Sequence, residues 1–251
     1  MSRRLNLGAV ILVAAVAANQ AAVRGASTPS HPPLLQRFLA VDQTALTEYR
    51  ALRHLEARND RLNSDAWMDV WTEADSTGFR YTVVGQGGSS FIKSQVFERA
   101  LEVERDLWQS GPTRGSITPD NYEFGDCGEQ SQLAGDLTRD PALTSAPCIG
   151  LKPRRKDVLL VDGIIFLKAD GDLLSIRGSL AKAPSFWTRR VDIDRRYSRV
   201  AGVRVPVAFE SVASVRLAGT STLTMTYQYE RVNGRVVGSP AIAAVSPTAE
   251  P

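Results

Sequence analysis

From Val158 to Asn233 almost every second residue is apolar through strand after strand, and a chain patterned this way must form a sheet with one greasy face. In Val203, Val205, Val207 and Phe209 the odd positions are apolar, while Arg204, Pro206, Ala208 and Glu210 between them are smaller or polar. The next run repeats the period. Leu223, Met225, Tyr227 and Tyr229 alternate with Thr222, Thr224, Thr226 and Gln228, and the run closes on Asn233-Gly234, a dipeptide that tolerates the positive φ angles of a tight hairpin. Upstream, Trp187, Val191 and Ile193 share a face that Arg189 and Arg195 interrupt. Arg190, Asp192, Asp194 and Arg196 make the opposite face a ladder of alternating charge, expected to stand in water. Val158 to Leu167 is nearly continuous apolar sequence ended by Asp170-Gly171, after which Leu174, Ile176 and Leu180 alternate. The pattern predicts a meander of five antiparallel strands.

The preceding half frames this meander. Leu46, Tyr49, Leu52 and Leu55 recur at helical spacing, but the segment is assigned to a strand from about Tyr49 onward. A second strand alternates Ala66, Met68, Val70 and Thr72 with Trp67, Asp69, Trp71 and Glu73, and Ser76-Thr77-Gly78 turns it into Phe79, Tyr81 and Val83. After the GQGGSS loop (85–90), Ile92, Val96, Ala100, Val103 and Leu107 form the apolar stripe of an amphipathic helix, capped by Ser89 or Ser90 and ended by Gly111-Pro112. Leu34, Leu35, Phe38, Leu39 and Val41 fit a short helix, and Pro119 to Gly128 reads as a strand before an exposed loop running to Ala146. Residues 1–26 carry a basic start, an apolar run and small residues, as a secretory signal peptide does; an uncleaved anchor is the alternative. The expected organisation is that leader, a linker over 27–35, one domain over 36–237 and a disordered tail over 238–251.

Export changes the charge argument. Of 30 basic side chains, Arg3, Arg4 and Arg24 leave with the leader, so 27 face 27 acidic ones and the mature chain is formally neutral. Nucleic-acid binding thereby loses its electrostatic warrant. In an exported chain the isolated pair Cys127 and Cys148 reads as a disulfide, with two unpaired thiols as the alternative. His31 and His54 offer no zinc pair and no nucleophile, base and orienter trio. The GQGGSS loop lacks a P-loop ending, Asp192 and Asp194 belong to the charge ladder, and Asp170-Gly171-Asp172 suffices as a turn. No catalytic residue, metal site or cofactor is predicted. Arg154, Arg155 and Lys156 form a basic patch for lipid headgroups or a partner, or else a charged strand edge.

Four segments carry a family resemblance: YRALRHLEARN (Tyr49 to Asn59), AWMDVWTEAD (Ala66 to Asp75), KPRRKDVLLVDG (Lys152 to Gly163) and PSFWTRRVDIDRRY (Pro184 to Tyr197). With their spacing, the chain from about residue 36 to 235 resembles the periplasmic LolA/LolB/RseB-like superfamily, and within it secreted proteins described as outer-membrane lipoprotein-sorting-like. The resemblance implies an α+β fold, a strongly curved antiparallel sheet forming an unclosed half-barrel with helices on its concave side. Curled so, the sheet would turn Trp67, Trp71, Phe166, Val191, Ile193, Phe209, Met225 and Tyr227 toward one concavity, as a lipid-accommodating pocket or an ordinary core. Phe186 and Trp187, after Pro184, are the expected lid. The expected function is non-enzymatic periplasmic binding of a lipid or an acylated lipoprotein by a monomer. The alternative is an envelope protein-interaction or stress-sensing module without bound lipid.

Overall fold

The computed structural model describes residues 33–41, 44–110, 112–127, 143 and 145–239. The predicted leader, His31, most of the linker, the bulk of the loop before Ala146 and the tail from 240 onward lie outside the described residues. Eleven strands among the described residues form one antiparallel sheet: β1 (Tyr49–Asn59), β2 (Ser64–Asp75), β3 (Gly78–Gly88), β4 (Tyr122–Gly125), β5 (Cys148–Pro153), β6 (Val161–Leu167), β7 (Leu173–Leu180), β8 (Thr188–Val200), β9 (Val203–Val215), β10 (Gly219–Val232) and β11 (Arg235–Val236). Their order is β3-β2-β1-β10-β9-β8-β7-β6-β5-β4, with β11 on β10, so β3 and β4 are the two outer strands and the sheet does not close.

The five-strand meander is present as β6 to β10, each strand paired with the next. Asn233 (φ 46) and Gly234 (φ 76) make the expected turn into β11. What local pattern could not supply is the junction of the two halves. β1 pairs along its whole length with β10, from Tyr49 opposite Val232 to Asn59 opposite Ser221. The strand expected over Pro119 to Gly128 is shorter, only β4, and Cys127 and Cys148 beside it form the predicted disulfide. A structural disulfide belongs in an oxidising compartment.

One face of the sheet is buried. Leu35 and Phe38 of helix α1 (Pro33–Ala40) and Val96, Phe97 and Leu101 of the helical stretch 90–110 join its core. That stretch opens with α2 (Ser90–Ile92), capped by Ser89 Oγ accepting from the Ile92 amide, passes through a π-helical segment Lys93–Glu98 and continues as α3 (Arg99–Ser110). The π turn holds one residue more than an α turn and rotates the stripe that follows. Phe97, Leu101 and Glu104 are therefore buried alongside Ile92, Val96 and Ala100, while the expected Val103 and Leu107 are half-buried. Helix α1 is held at the β6–β7 turn: Arg37 Nη1 donates to the Ala169 carbonyl at 3.0 Å.

The charge ladder on β8 departs from expectation. Asp194 is 1% exposed, because Ser175 Oγ and Arg177 of β7 donate to its two oxygens across the strand pair and enclose it. Asp192 keeps partial exposure, bonded by Arg190 and Ser179. The Gly163 that closes the LLVDG start of β6 has a steric reason: a Cβ there would lie 2.0 Å from the Arg177 carbonyl oxygen and 2.6 Å from the Gly178 Cα. Gly163→Ala is expected to lower stability by about 2 kcal/mol or more, since rigid backbone must move. Gly125→Ala, whose Cβ meets nothing within 4 Å, should shift the urea midpoint far less; equal shifts would remove this explanation of the glycine.

Candidate functional site

The strand registers align one row of side chains across the buried face: Met68 on β2, Leu55 on β1, Met225 on β10, Phe209 on β9, Arg195 on β8, Ile176 on β7, Ile165 on β6 and Ile149 on β5. Arg195 is the one charged member of this row. It is 5% exposed and its guanidinium carbon lies 5.2 Å from the centre of the Phe209 ring. Beside it the sheet and two covering segments enclose a narrow cavity of about 30 Å³, room for roughly two waters. Ile176, Ile193 and Phe209 line it from the sheet, and Ile117 and Leu159 line it from the cover. Its polar groups come from Arg195, Tyr122 and Tyr197. The Tyr122 hydroxyl accepts from the Val161 amide at 3.0 Å, which leaves its own proton free to donate. Burial pushes that phenol up to about 12, against the opposing pull of the Val161 amide and of Arg155 and Arg195.

A second polar centre lies further along the same face. Arg53 of β1 makes two parallel bonds to Glu104 of α3, at 2.5 and 2.6 Å, and both residues are buried. Tyr49 donates its hydroxyl to the same carboxylate at 2.9 Å and accepts from Arg53 at 2.6 Å. Tyr227 carries the Arg53 guanidinium 4.6 Å above its ring. Burial raises the Tyr49 phenol well above its usual range; Arg53 opposes the rise and Glu104 adds to it. A carboxylate occupied by a guanidinium fork and a phenol is a fastener, and it ties α3 to the sheet.

The expected pocket residues divide between the two faces. Val191, Ile193, Phe209, Met225 and Tyr227 lie on the buried face, but of these only Ile193 and Phe209 line the cavity. Trp67, Trp71 and Phe166 are turned to the opposite face, a correction to the predicted concavity. Trp67 stacks on His54 at 6.4 Å and lies over Gly85 and Gly87, where a Cβ would meet its ring. Arg50 sits 4.3 Å above Trp71, and Arg177 5.5 Å from Phe166. The reason is alternation: Ala66, Met68, Val70, Thr72 and Ala74 occupy the buried side of β2, so their neighbours must face away. Asp65, Asp69 and Glu73 share the parity of the two tryptophans and were the available signal. Glu104 and Arg53 were missed because a charge in a core position draws attention only when its partner is known.

The basic patch is partly spent within the chain. Arg154 bonds the Pro119 carbonyl and Glu123, and Arg155 bonds Asn121 and the Arg114 carbonyl, which fixes the loop before β6. Phe186 is 75% exposed, edge-to-face with Trp187 at 5.7 Å. Among the described residues no group of three His, Cys, Asp or Glu side chains is placed to hold a metal, and no helix is long and apolar enough to cross a membrane. No protein-family model and no curated protein matches the chain.

Two predictions follow from these contacts. Removing one partner of a buried ion pair strands the other, so Glu104→Ala should cost about 3 to 5 kcal/mol. Arg53→Met combined with Glu104→Leu should cost much less than the sum of the single changes; an additive double-mutant cycle in urea would show the pair to be uncoupled. On the opposite face, His54 Nδ1 lies 2.6 Å from Asp69 and Nε2 3.0 Å from Glu56. Partial burial works against its charge, but the two carboxylates outweigh it and raise the imidazole above its usual range. A raised value stabilises the fold fully below about pH 6.5 and loses that contribution as pH climbs through the folded-state value. The urea midpoint should therefore fall as pH rises above about 6.5, and His54→Gln should flatten that segment of the profile.

Proposed function

We propose that this chain is a non-enzymatic periplasmic protein that binds the acyl chain of a lipid or acylated lipoprotein against the buried face of its sheet. On this reading the sheet curls as an unclosed half-barrel with helices on its concave side. The observation that carries the reading is the cavity between the sheet and its cover, lined almost wholly by apolar side chains such as Ile176, Ile193 and Phe209. The resemblance to the LolA/LolB/RseB-like superfamily points the same way, as does a disulfide suited to the periplasm. At about 30 Å³ the cavity is closed to a chain, so entry requires the cover to part from the sheet. Affinity then comes from apolar burial at roughly 25 cal/mol per Å². Phe186 and Trp187 are the proposed lid, with Arg216 held 4.8 Å from the Phe186 ring.

A second reading, an envelope protein-interaction or stress-sensing module without bound lipid, draws on a different feature. Leu62, Phe91, Phe186 and Leu217 are large, apolar and exposed. The registers bring their turns to one end of the sheet, since Asn59 is opposite Ser221, Ala66 opposite Gly88 and Thr188 opposite Val215. Native mass spectrometry of the protein purified from a periplasm separates the readings. A non-covalent phospholipid or acylated adduct is expected, retained in Trp71→Asp because that side chain faces away from the cavity. A clean ligand-free mass, unmoved by added palmitate or phosphatidylglycerol, would overturn the carrier reading and favour the interaction module.

A further inference from the structure

We infer that Arg195 anchors an anionic head group, a carboxylate or phosphate oxygen, of the amphiphile whose acyl chain lies along the buried face. This rests on the proposed lipid-binding reading and names the head-group class that the site selects.

Buried arginines on this sheet set the standard for comparison. Arg53 is matched by Glu104, and Arg204 by Asp172 at 2.7 Å. Half-buried Arg177 on the opposite face is matched by Asp194 at 2.8 Å. Arg195 is 5% exposed and, among the described residues, no carboxylate pairs with it; none of its nitrogens is fully enclosed without a partner, so its donors open onto the cavity rather than into dry core. A guanidinium is a permanent cation with five donors, and one that opens onto an apolar cavity with no carboxylate beside it is suited to an anion that supplies the missing charge. The Phe209 ring covers one face of the group but accepts none of its in-plane donors.

The surroundings fit an anion with an apolar tail. Arg195 borders the cavity, and the hydroxyl-bearing side chains of Tyr122 and Tyr197 border it too. Tyr122 has a proton to donate, because its oxygen already accepts from the Val161 amide. A planar fork beside a phenol suits two adjacent oxygens on one carbon or phosphorus, and low polarity around them strengthens each bond. Away from that polar corner the walls are aliphatic and aromatic, Ile176, Ile193 and Phe209 among them, which suits a hydrocarbon chain and not a small polar anion.

Equilibrium dialysis of the delipidated full chain against palmitate, lysophosphatidate and methyl palmitate tests this. Palmitate or lysophosphatidate, or both, should bind about tenfold or more tightly than the uncharged ester, and the tighter of the two identifies carboxylate or phosphate as the head. Arg195→Met should lose the preference for the anions over methyl palmitate, and Arg195→Lys should keep part of it. The comparison of acid with ester needs no variant, so it decides the question even where Arg195→Met does not fold. Acid and ester binding alike would overturn the anchor and leave the lipid-binding reading standing. Failure of all three ligands to bind would overturn both.

Discussion

The ion pair between Arg53 and Glu104 decides how this sheet is covered. An eleven-stranded open sheet has a face too apolar for water, and a covering helix on apolar contacts alone could slide along it. A buried bidentate pair with fixed geometry cannot slide without stranding two charges. Tyr49 bonds both partners, so β1 fixes the position and rotation of α3 at one point. The π-helical segment before α3 belongs to the same arrangement, since its extra residue brings Phe97, Leu101 and Glu104 onto the buried stripe. At the other covering helix, Asp172 gathers Arg199 and Arg204, and Arg204 lies 5.9 Å from the Phe38 ring of α1. Charges placed inside the core thus supply the register that greasy contacts do not.

How much of this could be read from the chain depends on the range of the interaction. Strand alternation is a property of neighbours, so the meander from β6 to β10, the Asn233-Gly234 turn and the Ser89 cap were legible. The pairing of β1 with β10 joins residues about 160 to 180 apart, and nothing near Tyr49 or Val232 announces it. On β2 the parity of the acids, and not the bulk of the side chains, marks the outward side: Trp67 and Trp71 are the largest residues there, yet they share it with Asp65, Asp69 and Glu73. Ala66, Met68 and Val70 are smaller and are the ones buried, because the helical stretch packs directly on them and leaves no room for indoles. Arg195 was visible as an interruption of an apolar face. The same interruption at Arg53 turned out to be half of an ion pair, which only the fold could reveal.

The same distinction applies to the charge ladder on β8. Alternating charges along an isolated strand read as solvent-facing, but Asp194 stands beside Ser175 and Arg177 on the neighbouring strand, and the three close over one another. Cross-strand partners thus turn an exposed pattern into a buried network, and strand periodicity carries no information about them.

For a ligand to enter beneath the cover, some part of the cover must be weakly held, and the attachments are unequal. Helix α3 is fixed by a pair almost wholly out of water, where loss of one partner is costly. The loops over the cavity are held differently. Arg114 reaches Asp157 at 2.9 Å from a side chain 65% exposed, and Arg155 reaches the same carboxylate at 3.6 Å from a side chain 43% exposed. Their shared carboxylate, Asp157, is itself buried, so these attachments are open to water on the cationic side only. The half-exposed attachments over Ile117 and Leu159 are, on the carrier reading, the ones that yield, together with the proposed Phe186 and Trp187 lid, while α3 stays in place. On that reading, the half-exposed attachments and the unpaired charge lie at one place because that is where the ligand head must pass and then be held.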